Sequence, residues 1–225
     1  MPASTRKTSE PVQAAADGAK FVFFDLETTG LSPRGCRIIE MAALRVGPEG
    51  AIAGSFQALV RINHPVPYFI TRLTGITNTM LARGERIESV FPRFCEFVGD
   101  LPLVAYNASF DMSFLRAEAT RQNIKLQNKP VCALAVTRAR VPGLSSYKLK
   151  LVAEHFGIEE RQTHRALDDC EMGLRVFSYA LRMNRHPEAR GAYAPSLEGP
   201  LSGGPAPQDD GQAASSAGPA QGITV

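Results

Sequence analysis

Cysteine is scarce in this 225-residue chain, and long apolar runs are missing. Cys36, Cys95, Cys132 and Cys170 are far apart, with no Cys-x-x-Cys pair and no closely spaced histidine beside them. That excludes a disulfide-stapled scaffold and a sulfur-ligated zinc site, and leads us to expect free, mostly buried thiols in a reducing compartment. No segment approaches the roughly 18 to 20 apolar residues of a membrane helix. The N-terminal stretch lacks the apolar centre of a secretory signal, and Glu10 and Asp17 follow Arg6 and Lys7, unlike a basic organelle leader. The expectation is a soluble, cytoplasmic protein without membrane contact. Charge of one sign is also sparse: a net +3 and a pI near 8.7 are too mild to name a nucleic-acid partner. No internal repeat is evident.

What is present is core material, 44% hydrophobic residues with 12 Phe, enough for one sizeable domain. Residues 1–19 are rich in Ala, Ser, Thr and Pro without hydrophobic period and read as a disordered arm. Residues 187–225 are rich in Gly and Pro and read as a disordered low-complexity tail, leaving a domain over 20–186.

Within that domain Phe21 to Leu26 is a short apolar run opening into Glu27-Thr28-Thr29-Gly30, as a buried strand does at its end. Arg37 to Val46 and Ile52 to Val60 predict a hairpin around Gly47-Pro48-Glu49-Gly50. Short helices are expected at Tyr68 to Leu73 and Asn78 to Leu81, then a longer one at Glu88 to Val98, with Phe91, Phe94, Cys95 and Val98 on one face. A strand at Pro102 to Tyr106 leads into a helix over Ser109 to Gln122. Further helices are expected over 131–140, 147–156 and 166–183. The predicted class is α/β with a mixed sheet.

Asp25 and Glu27 are two apart on a strand, so both side chains leave one face at its carboxyl end, where α/β sheets place ligands. Paired carboxylates beside apolar residues repel unless a cation neutralises them, and oxygen ligands suit a hard divalent ion. Asp111 falls in the first turn of its helix, after Asn107 and Ser109, either of which fits the cap, and its charge also suits the helix dipole. His164 and Asp169, five apart, would stand about 140° apart around a continuous helix. They converge only if His164 precedes the helix, with Thr163 or His164 near the cap. Together, four carboxylates and one histidine supply enough ligands for two divalent ions about 3.5–4 Å apart, the arrangement that clamps in-line attack on phosphorus.

Three segments, Phe24-Asp25-Leu26-Glu27-Thr28-Thr29-Gly30, Asn107-Ala108-Ser109-Phe110-Asp111 and His164-Arg165-Ala166-Leu167-Asp168-Asp169, resemble in order the motifs of the DEDDh exonucleases. That family includes the proofreading epsilon subunit of bacterial DNA polymerase III. Similarity runs from about Phe21 to Leu181 and includes Asn63, Pro67 and Thr74-Gly75-Ile76-Thr77. The resemblance implies an RNase H-like fold in which Asp25, Glu27, Asp111 and Asp169 bind two ions, Mg²⁺ or Mn²⁺, with His164 as general base and Asp168 a mere neighbour. It further implies that Thr28 holds the 3′-hydroxyl of the terminal nucleotide and that Leu31 wedges against the last bases, with Thr74 and Asn107 as further contacts. The expected activity is 3′-5′ hydrolysis of DNA to 5′-mononucleotides. Single-stranded or frayed 3′ ends of DNA are the expected partners, and the tail is a candidate contact to a polymerase.

Three other readings remain open at this stage. Ribonuclease T and oligoribonuclease resemble the same motifs, which keeps RNA as a substrate. Asp25-x-Glu27-x-Thr29 is also similar to the nucleophile loop of haloacid dehalogenase-type phosphatases, although no matching downstream motifs are found. A non-catalytic nucleic-acid-binding module is the third. Between Arg116 and Lys150 eight basic residues stand against Glu118 alone, and suggest either a phosphate-tracking surface or ordinary solvated helix faces.

Overall fold

A computed structural model of the chain describes residues 18–159 and 164–183. The expected C-terminal tail, the boundary after residue 186 and all of the N-terminal arm but Gly18 and Ala19 lie outside the described residues. In chain order the elements are β1 (Phe21–Thr28), β2 (Ile38–Val46), β3 (Ile52–Arg61), α1 (Tyr68–Thr74), α2 (Asn78–Ala82), β4 (Glu85–Arg86), α3 (Ile87–Val98), β5 (Leu103–Ala105), α4 (Ala108–Gln122), β6 (Pro130–Cys132), α5 (Ala133–Arg140), α6 (Leu149–His155) and α7 (Ala166–Arg182). The strands form one six-stranded sheet in the order β4-β3-β2-β1-β5-β6. β1, β2 and β3 pair antiparallel, while β5 pairs parallel with β1 and β6 parallel with β5. The sheet is therefore mixed and flanked by helices, as expected.

Two strands escaped the sequence reading. Residues 131 and 132, expected to begin a helix, instead pair with Val104 and Ala105 in β6, and the helix starts only at Ala133. Three residues are too few to show a period of two. Pro130, which has no amide hydrogen to donate, opens this edge strand, a position where that loss is tolerated. The two-residue β4 pairs with Val60 and Arg61, and is likewise too short to leave a pattern. The cysteines are all free, but only Cys170 is fully buried; the other three are half-buried, which corrects the expectation of mostly buried thiols.

Alternation along β1 sorts the molecule into layers. Val22, Phe24 and Leu26 face a core completed by Phe91 and Phe94 of α3 and Phe114 and Leu115 of α4. Phe23 faces the other side, against Cys170, Leu174 and Phe177 of α7. Covered on both sides, β2 buries all nine of its residues. Burying each large apolar side chain contributes roughly 1.5–3 kcal/mol relative to exposure, so the layered core fixes the strand register firmly.

β1 and α7 are matched by step length. Four helical residues rise about 6 Å and two strand residues about 6.7 Å, so every second residue of β1 meets every fourth of α7. Phe21 meets Phe177, their ring centroids 5.9 Å apart in a T-shaped contact. Phe23 meets Gly173, where an added Cβ would fall 2.7 Å from the ring. The next step along the same two elements is Asp25 and Asp169.

Candidate active site

That step produces the chemistry. Asp25 and Glu27 share the face of β1 that looks toward α7, and carboxylate oxygens of Asp25, Glu27 and Asp169 lie within 4.8 Å of one another. Asp168 is outside this group and acts electrostatically on Arg165. Asp111 arrives from the first turn of α4, almost wholly buried, with its carboxylate accepting from its own amide and that of Leu26. Three of the four acids singled out above thus meet in one group, while Asp111 stands outside it and acts on Asp25 and Glu27 through its charge.

Their electrostatics agree with the geometry. Burial, reinforced by Asp111, Glu27, Asp169 and Glu40, pushes the Asp25 carboxyl well above the ordinary range. Glu27 is pushed from 4.5 to about 8, chiefly by burial, then by Asp169, Glu40 and Asp111, with Arg165 pulling the other way. Asp111 rises to about 7 through burial, partly offset by its two amide donors. Carboxylates crowded this way favour protonation until a cation enters among them. The donor set is all oxygen, which suits Mg²⁺ or Mn²⁺ and not a thiophilic ion.

His164 precedes α7, as convergence with Asp169 requires, and adopts a left-handed backbone with φ 48°. Arg165, not Thr163 or His164, occupies the cap position, and its side chain makes no capping bond. The first amide of the helix is instead held by Glu40 of β2, which lies directly opposite Glu27 in the strand register and is fully buried. Sequence reasoning missed Glu40 and Arg165. The available signal was a lone acid inside the apolar run Ile38-Ile39-Glu40-Met41-Ala42, since a charge in a fully buried strand demands a partner.

The expected substrate contacts divide. Leu31 is 86% exposed, so it is free to touch a ligand. Thr28 is buried and donates its hydroxyl to the carbonyl of Gly30 at 2.7 Å, shaping the turn after β1. Thr74 is 1% exposed; its hydroxyl donates to the Ile70 carbonyl and accepts from the Ile76 amide, so it supports the end of α1 and faces no solvent. Asn107 is exposed at the start of α4 and accepts from the Ser109 hydroxyl at 3.0 Å; neither residue caps the helix through its side chain.

The family model RNase_T, described as Exonuclease, matches residues 22–177. The chain belongs to this exonuclease family. It is 40% identical over 159 residues to the DNA polymerase III subunit epsilon of Aquifex aeolicus, covering 70% of this chain and 78% of that protein. With the PolC-type DNA polymerase III of Clostridium perfringens it shares 37% over 163 residues, 72% of this chain and 11% of the other. It therefore spans little more than a tenth of the PolC-type relatives it matches. Among solved structures, E. coli exonuclease I in complex with a dT13 oligonucleotide superposes with a TM-score of 0.66 at 24% identity, covering 75% of this chain and 42% of that one. The fold of the chain is thus RNase H-like, and the motif resemblance seen in the sequence is a family relationship.

Proposed function

We propose that this exonuclease hydrolyses DNA from the 3′ end to 5′-mononucleotides, with Asp25, Glu27, Asp111 and Asp169 holding two divalent ions, Mg²⁺ or Mn²⁺, and His164 acting as general base. The observation that carries this reading is the carboxylate cup, in which Asp25 and Glu27 of β1 and Asp169 of α7 bring oxygens within 4.8 Å of one another and Asp111 of α4 adds its charge. Bound there, divalent ions supply neutralisation of the phosphate and activation of the attacking water.

The residues of the chain do the rest. The four carboxylates fix the cation positions. His164, held just ahead of α7, accepts the proton of the attacking water, which a neutral imidazole can do near pH 7. Leu31 presents an exposed apolar side chain on the turn that follows Glu27, a suitable wedge for a terminal base. Thr28 forms that turn, and Asn107 opens the helix that brings Asp111; both are candidates to line the terminal nucleotide, while Thr74 takes part only through the segment it braces.

The names of the relatives favour DNA over RNA and a proofreading setting, because they are an epsilon subunit and PolC-type polymerases. A polymerase partner reached through residues 187–225 belongs to the same proposal. Nothing in the described residues favours a phosphatase or a binding-only module over this reading. The deciding experiment digests matched DNA and RNA oligonucleotides labelled at either end, with Mn²⁺, chelator and His164→Ala controls. Stepwise shortening of DNA from its 3′ end, lost with chelator and in the variant, is expected. Release of phosphate from small monoesters with intact DNA, or preferential loss of RNA, would overturn it.

A further inference from the structure

We propose that Glu40 is a positioning residue for the carboxylate cup, setting through Arg165 and the first amide of α7 where Asp169 and His164 stand relative to Asp25 and Glu27. The inference rests on the metal-dependent reading above.

Glu40 is an acid among acids, yet its surroundings differ from theirs. Its Oε1 accepts from Gln57 Nε2 at 3.0 Å and from Arg165 Nη2 at 2.6 Å. Its Oε2 accepts from Arg165 Nε at 3.0 Å and from the Ala166 amide at 3.1 Å. Four donors match the roughly four acceptor sites of a carboxylate, so Glu40 has no lone pair left for a cation. It is thereby separated from Asp25, Glu27, Asp111 and Asp169, although it faces Glu27 across the β1–β2 pair.

These bonds tie three elements together. Gln57 belongs to β3, Glu40 to β2 and Ala166 to the start of α7. The exposed first amides of a helix need an acceptor, and the side chain of Arg165 cannot be one, so the cap comes from a strand more than a hundred residues earlier. Arg165 is clamped twice. Its guanidinium grips Glu40 in a two-armed fork, and its carbonyl accepts the amide of Asp169 at 3.0 Å. Whatever fixes Arg165 therefore fixes the backbone of Asp169 on one side and of the left-handed His164 on the other. The pair is also self-neutralising, which leaves the four cup carboxylates to balance two divalent cations.

The test uses the full chain with Glu40→Gln, Arg165→Lys and the double variant. Gln keeps the shape but presents a donor where an acceptor is needed; Lys keeps the charge but loses the fork. Measured are kcat and KM on a 3′-labelled DNA strand, the half-saturating Mn²⁺ concentration, Mn²⁺ binding by electron paramagnetic resonance without substrate, and thermal melting. Each single variant should melt cooperatively, bind Mn²⁺ about 10-fold or more weakly and lose about 10–100-fold in kcat, with KM changed less than about threefold. The double variant should be no worse than about threefold below the weaker single, because both break one unit. A folded Glu40→Gln protein with unchanged Mn²⁺ binding and kcat overturns the proposal, as do losses that multiply in the double variant. Should Glu40→Gln not fold, Arg165→Lys decides alone: unchanged Mn²⁺ binding overturns, weakened binding supports. A wild-type protein that binds Mn²⁺ but cuts no DNA would remove the functional reading, while the variants' Mn²⁺ affinities would still judge the positioning role.

Discussion

At the scale of single residues, Glu27 sets the balance between stability and function. Its carboxyl rises from 4.5 to about 8, mainly through burial. A folded state that holds this proton while the unfolded chain releases it binds more protons between those two values, so stability falls as pH rises through that window. Asp25 and Asp111 act in the same direction. The metal-free protein should therefore melt at progressively lower temperature from about pH 5 to pH 8, and Mn²⁺ should restore more stability at pH 8 than at pH 5. Glu27→Gln should flatten this pH dependence in chelator, melt above wild type at pH 8 and abolish nuclease activity. Calorimetric scans across pH with and without Mn²⁺ check the melting behaviour, and digestion of a 3′-labelled DNA strand checks the loss of activity. The adjacent aspartates give a second prediction: Asp169→Ala should lower kcat by more than about 100-fold and Asp168→Ala by less than about fivefold, the first being in the cup and the second beside Arg165. The three acids that meet, Asp25, Glu27 and Asp169, were legible because they stand in ordered motifs. Glu40 was not, because its partner Arg165 is distant in sequence and only the fold reveals the fork.

Elements decide how closely those residues meet. The helix-to-strand ladder depends on Gly173, which admits the ring of Phe23 and so brings the next rung, Asp25 and Asp169, together. Gly173→Ala should force either the ring or α7 outward. The expected result is a destabilisation of about 1–3 kcal/mol by chemical denaturation, from overpacking a filled core, with a fall in kcat larger than any change in KM. An unchanged kcat in the folded variant would mean that the ladder does not set the cup. Strand and helix periods or continuous apolar runs made β1 to β3, α3, α4 and α7 readable within one or two residues at most ends, because each is long. β4 and β6 were unreadable because two or three residues carry no period, and their pairing comes from neighbours already in place. Thr74 illustrates another limit: a motif position suggested a substrate contact, whereas packing turns its hydroxyl back onto the end of α1.

For the whole molecule, sequence proximity proved a poor guide to surface. Four of the eight basic residues between Arg116 and Lys150 divide between layers: Arg116 and Arg121 belong to α4, on the Phe24 side of the sheet, and Arg138 and Arg140 to α5, which packs with α7 on the other. Arg121 is also engaged by Glu118 and by the carbonyl of Pro33, and Arg138 lies over the ring of Tyr147. Among the described residues no helix is long and apolar enough to cross a membrane. What the whole fold does build is one acidic cup from segments separated by more than a hundred residues. The most direct measurement of that claim is the anomalous scattering of crystals grown with Mn²⁺. The account predicts two peaks about 3.5–4 Å apart, contacted by Asp25, Glu27, Asp111 and Asp169. Peaks held instead by Asp168 or Glu40, or none among the four carboxylates, would contradict it.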